Sequence, residues 1–178
     1  MLEYESCGII FIDCWQSVAE GQWPETPPGF NFYTNMVDVL KNYTAGSLVF
    51  HTGTFGDLPL ARELKPWHDK NHAIDIMNMS SFQQHCKITN IKNWIVVGAH
   101  WQRCTHNKPL GFKNLLNIKQ QDPDFRVFSL PECTARFVFD DAHNDNIGNP
   151  ISTICRDEDY HSDGLSWSKD SEYFELVL

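Results

Sequence analysis

A cysteine and an aspartate of this sequence each follow an apolar run, in positions from which they could perform hydrolytic chemistry. The run 94–98 ends in Gly98 and Cys104 follows six residues later, while the run 8–12 leads directly into Asp13. Both runs are typical of buried strands, and ligands of open α/β sheets bind outside the carboxyl ends of the strands. A carboxylate can accept the proton of a thiol, and the thiolate can then attack a carbonyl carbon. The two residues therefore predict two parts of a cysteine-hydrolase site.

The elements that must position these residues alternate between strand-like and helix-like patterns. Strands are predicted over residues 7–13, 47–51, 72–77, 94–98, 125–129 and 151–155. Helices are predicted over residues 31–43, 58–64, 80–86 and 110–118. This alternation predicts an α/β fold in three layers, with a central, mainly parallel sheet and helices on both faces. No repeat or linker divides the chain, so we expect a single domain over residues 1–178.

The composition argues against several classes of function. The chain has 178 residues, enough for one domain with a substantial core, and a net charge of −9, which disfavours sequence-independent binding to nucleic acid. No apolar run approaches the ~20 residues that cross a bilayer, and the acidic start of the sequence is unlike a signal peptide. The six cysteines contain no Cys-x-x-Cys spacing and favour free thiols in a reducing compartment. We therefore expect a cytoplasmic protein that binds neither nucleic acid nor a membrane.

Three motifs, taken in order, resemble the isochorismatase-like cysteine hydrolases, which include nicotinamidases and N-carbamoylsarcosine amidases. They are the strand end at Asp13, the spacing from Gly98 to Cys104, and the run FSLPECTA at 128–135. The likeness covers roughly residues 7 to 135. It implies an isochorismatase-like three-layer fold, with Asp13 as the general base and Cys104 as the nucleophile. It also implies a small-molecule substrate and no cofactor.

The resemblance further implies an oxyanion site and a substrate pocket near these two residues. The turn before the cysteine would supply backbone N–H groups to the oxyanion, and here it consists of Ala99, His100 and Trp101. Trp15 follows the first strand end and is expected either to form one wall of the pocket or to pack in the core.

One part of the family pattern is missing at its expected place. The family has a lysine at the carboxyl end of the third strand, several residues before an aromatic residue. Residues 76–82 read IMNMSSF and contain no lysine. Asn78 could donate a hydrogen bond at that place, beside Phe82 in the pocket, but it carries no charge. The sequence therefore predicts an incomplete catalytic set.

A second departure concerns the residues that follow Cys104. Pro109 and Gly111 come soon after it, and proline costs about 3 kcal/mol inside a helix. The easier solution starts the helix near Pro109 and leaves Cys104 on a loop, with little help from a helix dipole. Without a lysine or a dipole, Cys104 is expected to titrate near the free-cysteine value of about 8.5.

The histidines offer weaker candidates. His68 and His72 have a His-x-x-x-His spacing, but Pro66 argues against the helix that a metal site would need there. His51 lies near the place of the nicotinamidase metal cluster, whose spacing this chain does not reproduce. His106 is expected at the surface. We therefore expect no bound metal.

The tail from about residue 140 departs most from the family and looks like an added element. Its apolar end, from Ser171 to Leu178, is expected to dock either on its own domain or on a second subunit, which would make a homo-oligomer. Two hypotheses for function follow from the whole sequence. The first is a divergent cysteine hydrolase acting on a small amide or a related carbonyl compound. The second is a non-catalytic relative that keeps the fold for ligand binding or assembly.

Overall fold

The computed structural model describes residues 6–15, 32–41, 46–51, 59–70, 73–101, 104–136, 165–169 and 173–177. The strands are β1 (Cys7–Ile12), β2 (Leu48–His51), β3 (Ile74–Asp75), β4 (Asn93–Trp101), β5 (Arg126–Arg136), β6 (Ser166–Lys169) and β7 (Phe174–Val177). The helices are α1 (Phe32–Lys41), α2 (Lys65–Lys70), α3 (Met79–Thr89), α4 (Cys104–Asn107) and α5 (Phe112–Gln121). In this part of the chain no helix combines the length and the apolar character needed to span a bilayer.

The seven strands form one sheet in the order β3-β2-β1-β4-β5-β7-β6. The first five are parallel to one another, and β7 and β6 join antiparallel at one side. The mixed α/β fold with a mostly parallel central sheet is therefore confirmed. Ile12 of β1 pairs with His51 of β2 on one side and with Gly98 of β4 on the other. This register places the carboxyl ends of the three central strands side by side.

The side chains of β1 alternate between two buried apolar clusters. Ile9 and Phe11 pack in one cluster with Tyr33 and Met36 of α1. Ile10 and Ile12 pack in the other, with Phe82 of α3 and with Phe112 and Leu115 of α5 among its members. Successive residues of a strand point to opposite faces, so a strand that is buried throughout must be covered on both sides. This explains why the central strands read as continuous apolar runs in the sequence.

Several boundaries differ from those predicted. The fourth strand was expected to end at Gly98 and instead continues to Trp101, and the third strand is only Ile74–Asp75. The predicted helix 58–64 is wrong, because the helix there is α2 and contains Pro66 in its first turn. Proline is tolerated at that position, since the N–H it lacks would have no partner inside the helix. The predicted strand 151–155 lies outside the described residues.

The described part of the tail, residues 165–169 and 173–177, docks on its own domain. β7 pairs with β5, and its Phe174 and Leu176 are buried in the apolar cluster that also contains Phe112. Arg126 and Glu175 join the two strands through paired hydrogen bonds of 2.8 and 2.7 Å. Of the two sites that the sequence left open for this segment, the structure shows the intramolecular one.

We expect Gly98→Ala to destabilise the fold strongly, because Gly98 meets β1 at the strand end that carries the candidate site. Gly98 has a φ of +124°, and a Cβ atom built there would lie 2.0 Å from the Ile12 carbonyl oxygen. Strain and overpacking together should lower the free energy of unfolding by at least about 3 kcal/mol. Urea unfolding measures this loss. Gly46→Ala is the control, since Gly46 has a similar φ of +120°. An equal loss of stability in both variants would show that the contact of Gly98 with β1 is not the cause.

Candidate active site

Asp13 occupies the turn in which β1 ends. Its φ of +51° is in the left-handed region, where aspartate is tolerated better than most residues. Its N–H donates to the His51 carbonyl oxygen at 3.1 Å, and its own carbonyl oxygen accepts from the Trp15 N–H at 2.9 Å. These bonds fix the backbone on both sides, and the carboxyl group is buried. The sheet therefore holds this carboxyl group at its carboxyl edge in one conformation.

Cys104 is the first residue of the single-turn helix α4, and not part of a loop as predicted from Pro109. The helix ends at Asn107, so Pro109 never enters it. Gly111 then approaches the end of α4 so closely that a Cβ there would lie 2.7 Å from the His106 carbonyl carbon and oxygen. α5 therefore begins shortly after α4 ends. The half-buried Cys104 packs against the cluster that contains Ile10 and Ile12.

The structure brings Asp13 and Cys104 together, as the sequence predicted from their strand ends. A hydrogen bond from the Cys104 thiol lowers the pKa of the Asp13 carboxyl group. The contact is loose, because neither carboxylate oxygen has a partner within strict hydrogen-bond geometry. Catalytic hydrogen bonds are often long without a ligand and tighten when one binds.

Lys108 completes the cluster, and sequence reasoning missed it. Its Nζ lies 3.5 Å from Asp13 Oδ1, and its side chain is only 16% exposed. The same Nζ lies 5.7 Å from the centre of the Trp15 ring, a cation–π distance. The family position after the third strand has no lysine, as the sequence shows, and Lys108, which comes after Cys104, lies beside Asp13 instead. The spacing of four residues, one helical turn, was the available signal.

The backbone explains how Lys108 reaches the site. Its N–H donates to the Cys104 carbonyl oxygen at 3.1 Å, which continues the turn of α4, and its carbonyl oxygen accepts from the Gly111 N–H at 2.8 Å. The expectation that Cys104 titrates like a free cysteine rested on the absence of a lysine and a helix. The structure contradicts both points, because Lys108 lies at the site and Cys104 begins the helix α4.

Asp13 has the electrostatics of a group that can exchange protons near neutral pH. Burial raises its pKa from 3.8 to about 6, and the thiol hydrogen bond and the positive charge of Lys108 oppose this rise. A general base is most effective when its pKa lies near the operating pH. At pH 7 most of the Asp13 population is ionised and ready to accept a proton.

His51 lies at the same edge, at the end of β2. Its Nδ1 is 2.7 Å from the Ile76 carbonyl oxygen, and its ring is buried. Burial lowers the pKa of His51, and the charge of Lys108 lowers it further. The hydrogen bond to Ile76 raises this pKa and partly opposes the two effects. The imidazole is therefore neutral at pH 7.

The remaining predicted site residues have the following places. Ala99, His100 and Trp101 are the last residues of β4, with an irregular register to β5 between Ala99 and Trp101, and not a separate turn. Asn78 caps α3, where its side chain accepts from the Ser81 N–H at 2.9 Å. Phe82 is fully buried, edge-on to the Trp94 ring at 4.8 Å. Trp15 is buried beneath Lys108.

The other histidines and cysteines lie outside this cluster. His106 is fully buried and edge-on to Phe112, so the expectation of a surface position is wrong. His68 lies on α2, 3.5 Å from Asp75, while His72 falls outside the described residues. In the described ranges, no three His, Cys, Asp or Glu side chains form a group that could hold a metal ion. The described cysteines, including Cys104, form no disulfide with one another.

No family model, curated protein or solved structure matches this chain.

Proposed function

We propose that this chain is a divergent cysteine hydrolase of isochorismatase-like type, acting on a small amide or a related carbonyl compound. Asp13 is the general base, Cys104 the nucleophile and Lys108 the cation that stabilises their charged forms. The observation that carries the proposal is the position of Lys108, with Nζ 3.5 Å from Asp13 Oδ1 at the carboxyl group that the Cys104 thiol also contacts. A base, a nucleophile and a cation in contact are the groups that thiol-dependent hydrolysis requires.

The reaction would proceed in two halves. Asp13 accepts the thiol proton, and the Cys104 sulfur forms a bond to the carbonyl carbon of the substrate. The tetrahedral intermediate collapses as the C–N bond breaks and Asp13 returns the proton to the departing amine. Asp13 then takes a proton from water, whose oxygen attacks the thioester and releases the carboxylic acid and the thiol. Lys108 stabilises the negative charge that the Asp13–Cys104 pair carries throughout.

The end of β4, before Cys104, would stabilise the oxyanion of the tetrahedral intermediate. The register between β4 and β5 shifts around His100, between Ala99 and Trp101. Such irregularities leave backbone groups outside the regular ladder and are frequent next to active sites. We propose that N–H groups of this segment, Ala99 to Trp101, hold the oxyanion as the family resemblance implies.

We also propose that the fold is of the three-layer, isochorismatase-like type. Apolar clusters on both faces of the sheet, with α1 on one and α3 and α5 on the other, support a three-layer isochorismatase-like arrangement. The antiparallel pair β6 and β7 then extends that sheet beyond β5.

Lys108→Met should lower the turnover of small primary amides by about 100-fold or more, because it removes the only opposite charge that lowers the pKa of Asp13 among the described residues. In the native protein the rate should fall as the pH drops through about 6, where Asp13 becomes protonated. This limb belongs to the coupled Asp13–Cys104 pair. Since Lys108 lowers the pKa of Asp13, its removal should move the acid limb to higher pH. Initial rates from pH 4 to pH 9 on a panel of aliphatic and aromatic amides measure both effects.

Lys113→Met is the matched control. Lys113 also lies just after α4, but its Nζ donates to the Asn107 side chain at 3.0 Å. Loss of this charge should leave both the rate and the acid limb in place. If no amide is turned over, the pH dependence of iodoacetamide labelling at Cys104 replaces the rate. A labelling profile that is equal in native protein and in Lys108→Met would favour the non-catalytic alternative.

A further inference from the structure

The side chain of His51 lies on the same face of the sheet as Cys104. His51 and Val49 are two residues apart on β2 and therefore point to the same side. Val49 belongs to the apolar cluster against which Cys104 packs. The backbone carbonyl of His51 also accepts the Asp13 N–H at 3.1 Å. The imidazole is thus built into the edge that carries the proposed site.

The hydrogen bond to Ile76 fixes the tautomer of His51. A carbonyl oxygen can only accept, so the proton of the neutral ring lies on Nδ1, which donates to Ile76 at 2.7 Å. The other nitrogen, Nε2, then carries a lone pair and can only accept. The ring is 1% exposed, and among the described residues Nε2 has no hydrogen-bond partner. Buried acceptors nearly always have a partner, so an acceptor without one at this edge can receive a hydrogen bond from a bound molecule.

The neighbouring groups indicate which ligand atom would meet Nε2. Asp13 is a buried carboxylate, which repels a ligand carboxylate. Lys108 is directed to Asp13 at 3.5 Å and supplies the cation of the site. A neutral ligand with both a carbonyl oxygen and an N–H would satisfy the donors of the strand end and the acceptor of His51 together. An ester lacks the N–H and would leave Nε2 buried without a partner.

We propose that His51 Nε2 accepts a hydrogen bond from a ligand N–H, so that the site favours carbonyl compounds that carry an N–H over esters and carboxylates. This inference rests on the proposed function for the identity of the reacting site. It adds a specificity-determining residue and narrows the substrate class. Sites that hydrogen-bond a substrate N–H reject analogues without it, because their own polar group is left unpaired.

Alkylation of Cys104 tests the proposal without turnover. In each case the thiolate carbon–sulfur bond forms as iodide leaves, so iodoacetamide, N,N-dimethyl-2-iodoacetamide and ethyl iodoacetate differ in their N–H groups and not in the reaction. Rate constants at Cys104 are measured by mass spectrometry and divided by those of glutathione. We expect iodoacetamide to be favoured roughly 3- to 10-fold over both other reagents, the effect of one net hydrogen bond. If only the bulkier dimethyl reagent is disfavoured, steric exclusion explains the result and the proposal is wrong.

His51→Phe should abolish the preference for iodoacetamide, and His85→Phe should retain it. His85 is the matched control because it hydrogen-bonds to Ser47 at 2.7 Å, before the amino end of β2. If His51→Phe does not fold, the three reagents still decide the question in the native protein. A preference that survives in folded His51→Phe would overturn the proposal even if amide hydrolysis depends on Cys104. A preference that requires His51 in a protein without turnover would support the N–H-binding site and reject the hydrolase.

Discussion

Cys104→Ala and Asp13→Asn should each abolish the hydrolysis of small amides, with losses of roughly 1,000-fold or more in kcat. Cys104→Ala removes the atom that would form the bond to the carbonyl carbon. Asp13→Asn leaves a side chain of similar shape that cannot accept the thiol proton. Because the two groups act on one proton, the double variant should be scarcely slower than either single variant. Steady-state rates for the four proteins form the measurement.

Two substitutions outside the site serve as controls for these losses. Cys86→Ala removes a thiol whose pKa is raised to about 12 by burial, and which is therefore inert near neutral pH. Asp38→Asn removes an exposed carboxylate that pairs with Lys41 on α1 at 2.7 Å. Both should keep full activity. Amide turnover that survives in Cys104→Ala, or losses that simply multiply in the double variant, would rule out the proposed pair.

The meeting of Asp13 and Cys104 could be predicted from the sequence because it depends on a general property of parallel sheets. Two apolar runs that end in polar residues become adjacent strands, and their carboxyl ends then lie at one edge. The pairing of Ile12 with Gly98 sets that proximity. The α/β fold could also be predicted from the sequence, because strands such as β1 that are covered on both faces contain few polar residues.

The position of Lys108 could not be predicted in the same way, because tertiary packing overrides a local preference there. Pro109 and Gly111 argued against any helix at Cys104. The chain resolves this with two helices, α4 before Pro109 and α5 after Gly111, and Gly111 lies so close to the His106 backbone that a Cβ atom there would be 2.7 Å from it. The turn of α4 then carries Lys108 back to Asp13. A search for the lysine at strand ends alone does not find Lys108, because this residue follows a helix.

The role of His51 depends on a contact that is distant in sequence. Its proton position follows from the Ile76 carbonyl oxygen, which is 25 residues away along the chain. The short β3 ends just before Ile76, whose N–H donates to the Phe50 carbonyl oxygen of β2 at 3.0 Å while its carbonyl oxygen meets the His51 ring. Sequence spacing places His51 at a strand end, but it cannot state which ring nitrogen remains an acceptor.

Asp13→Asn should also change the way in which the free energy of unfolding depends on pH. The folded-state pKa of Asp13 is about 6 against a model value of 3.8, so the folded protein holds this proton more tightly than the unfolded chain. The resulting stabilisation is complete below pH 3.8 and is lost as the pH rises through 6. A difference of about two units corresponds to about 3 kcal/mol as an upper value. Native protein should therefore lose up to that amount of unfolding free energy between pH 4 and pH 8, relative to Asp13→Asn, in which the position does not titrate.

The comparison of slopes separates this effect from the loss of the ion pair. Replacing Asp13 also removes the ion-pair partner of Lys108, so stability at a single pH does not isolate the effect of the raised pKa of Asp13. Urea unfolding of both proteins at each pH gives the difference in slope, and Asp38→Asn, at an exposed position, should follow the native curve. Parallel curves for native protein and Asp13→Asn would mean that burial does not raise the pKa of Asp13. The base would then titrate well below neutral pH, and the acid limb of activity would move down with it.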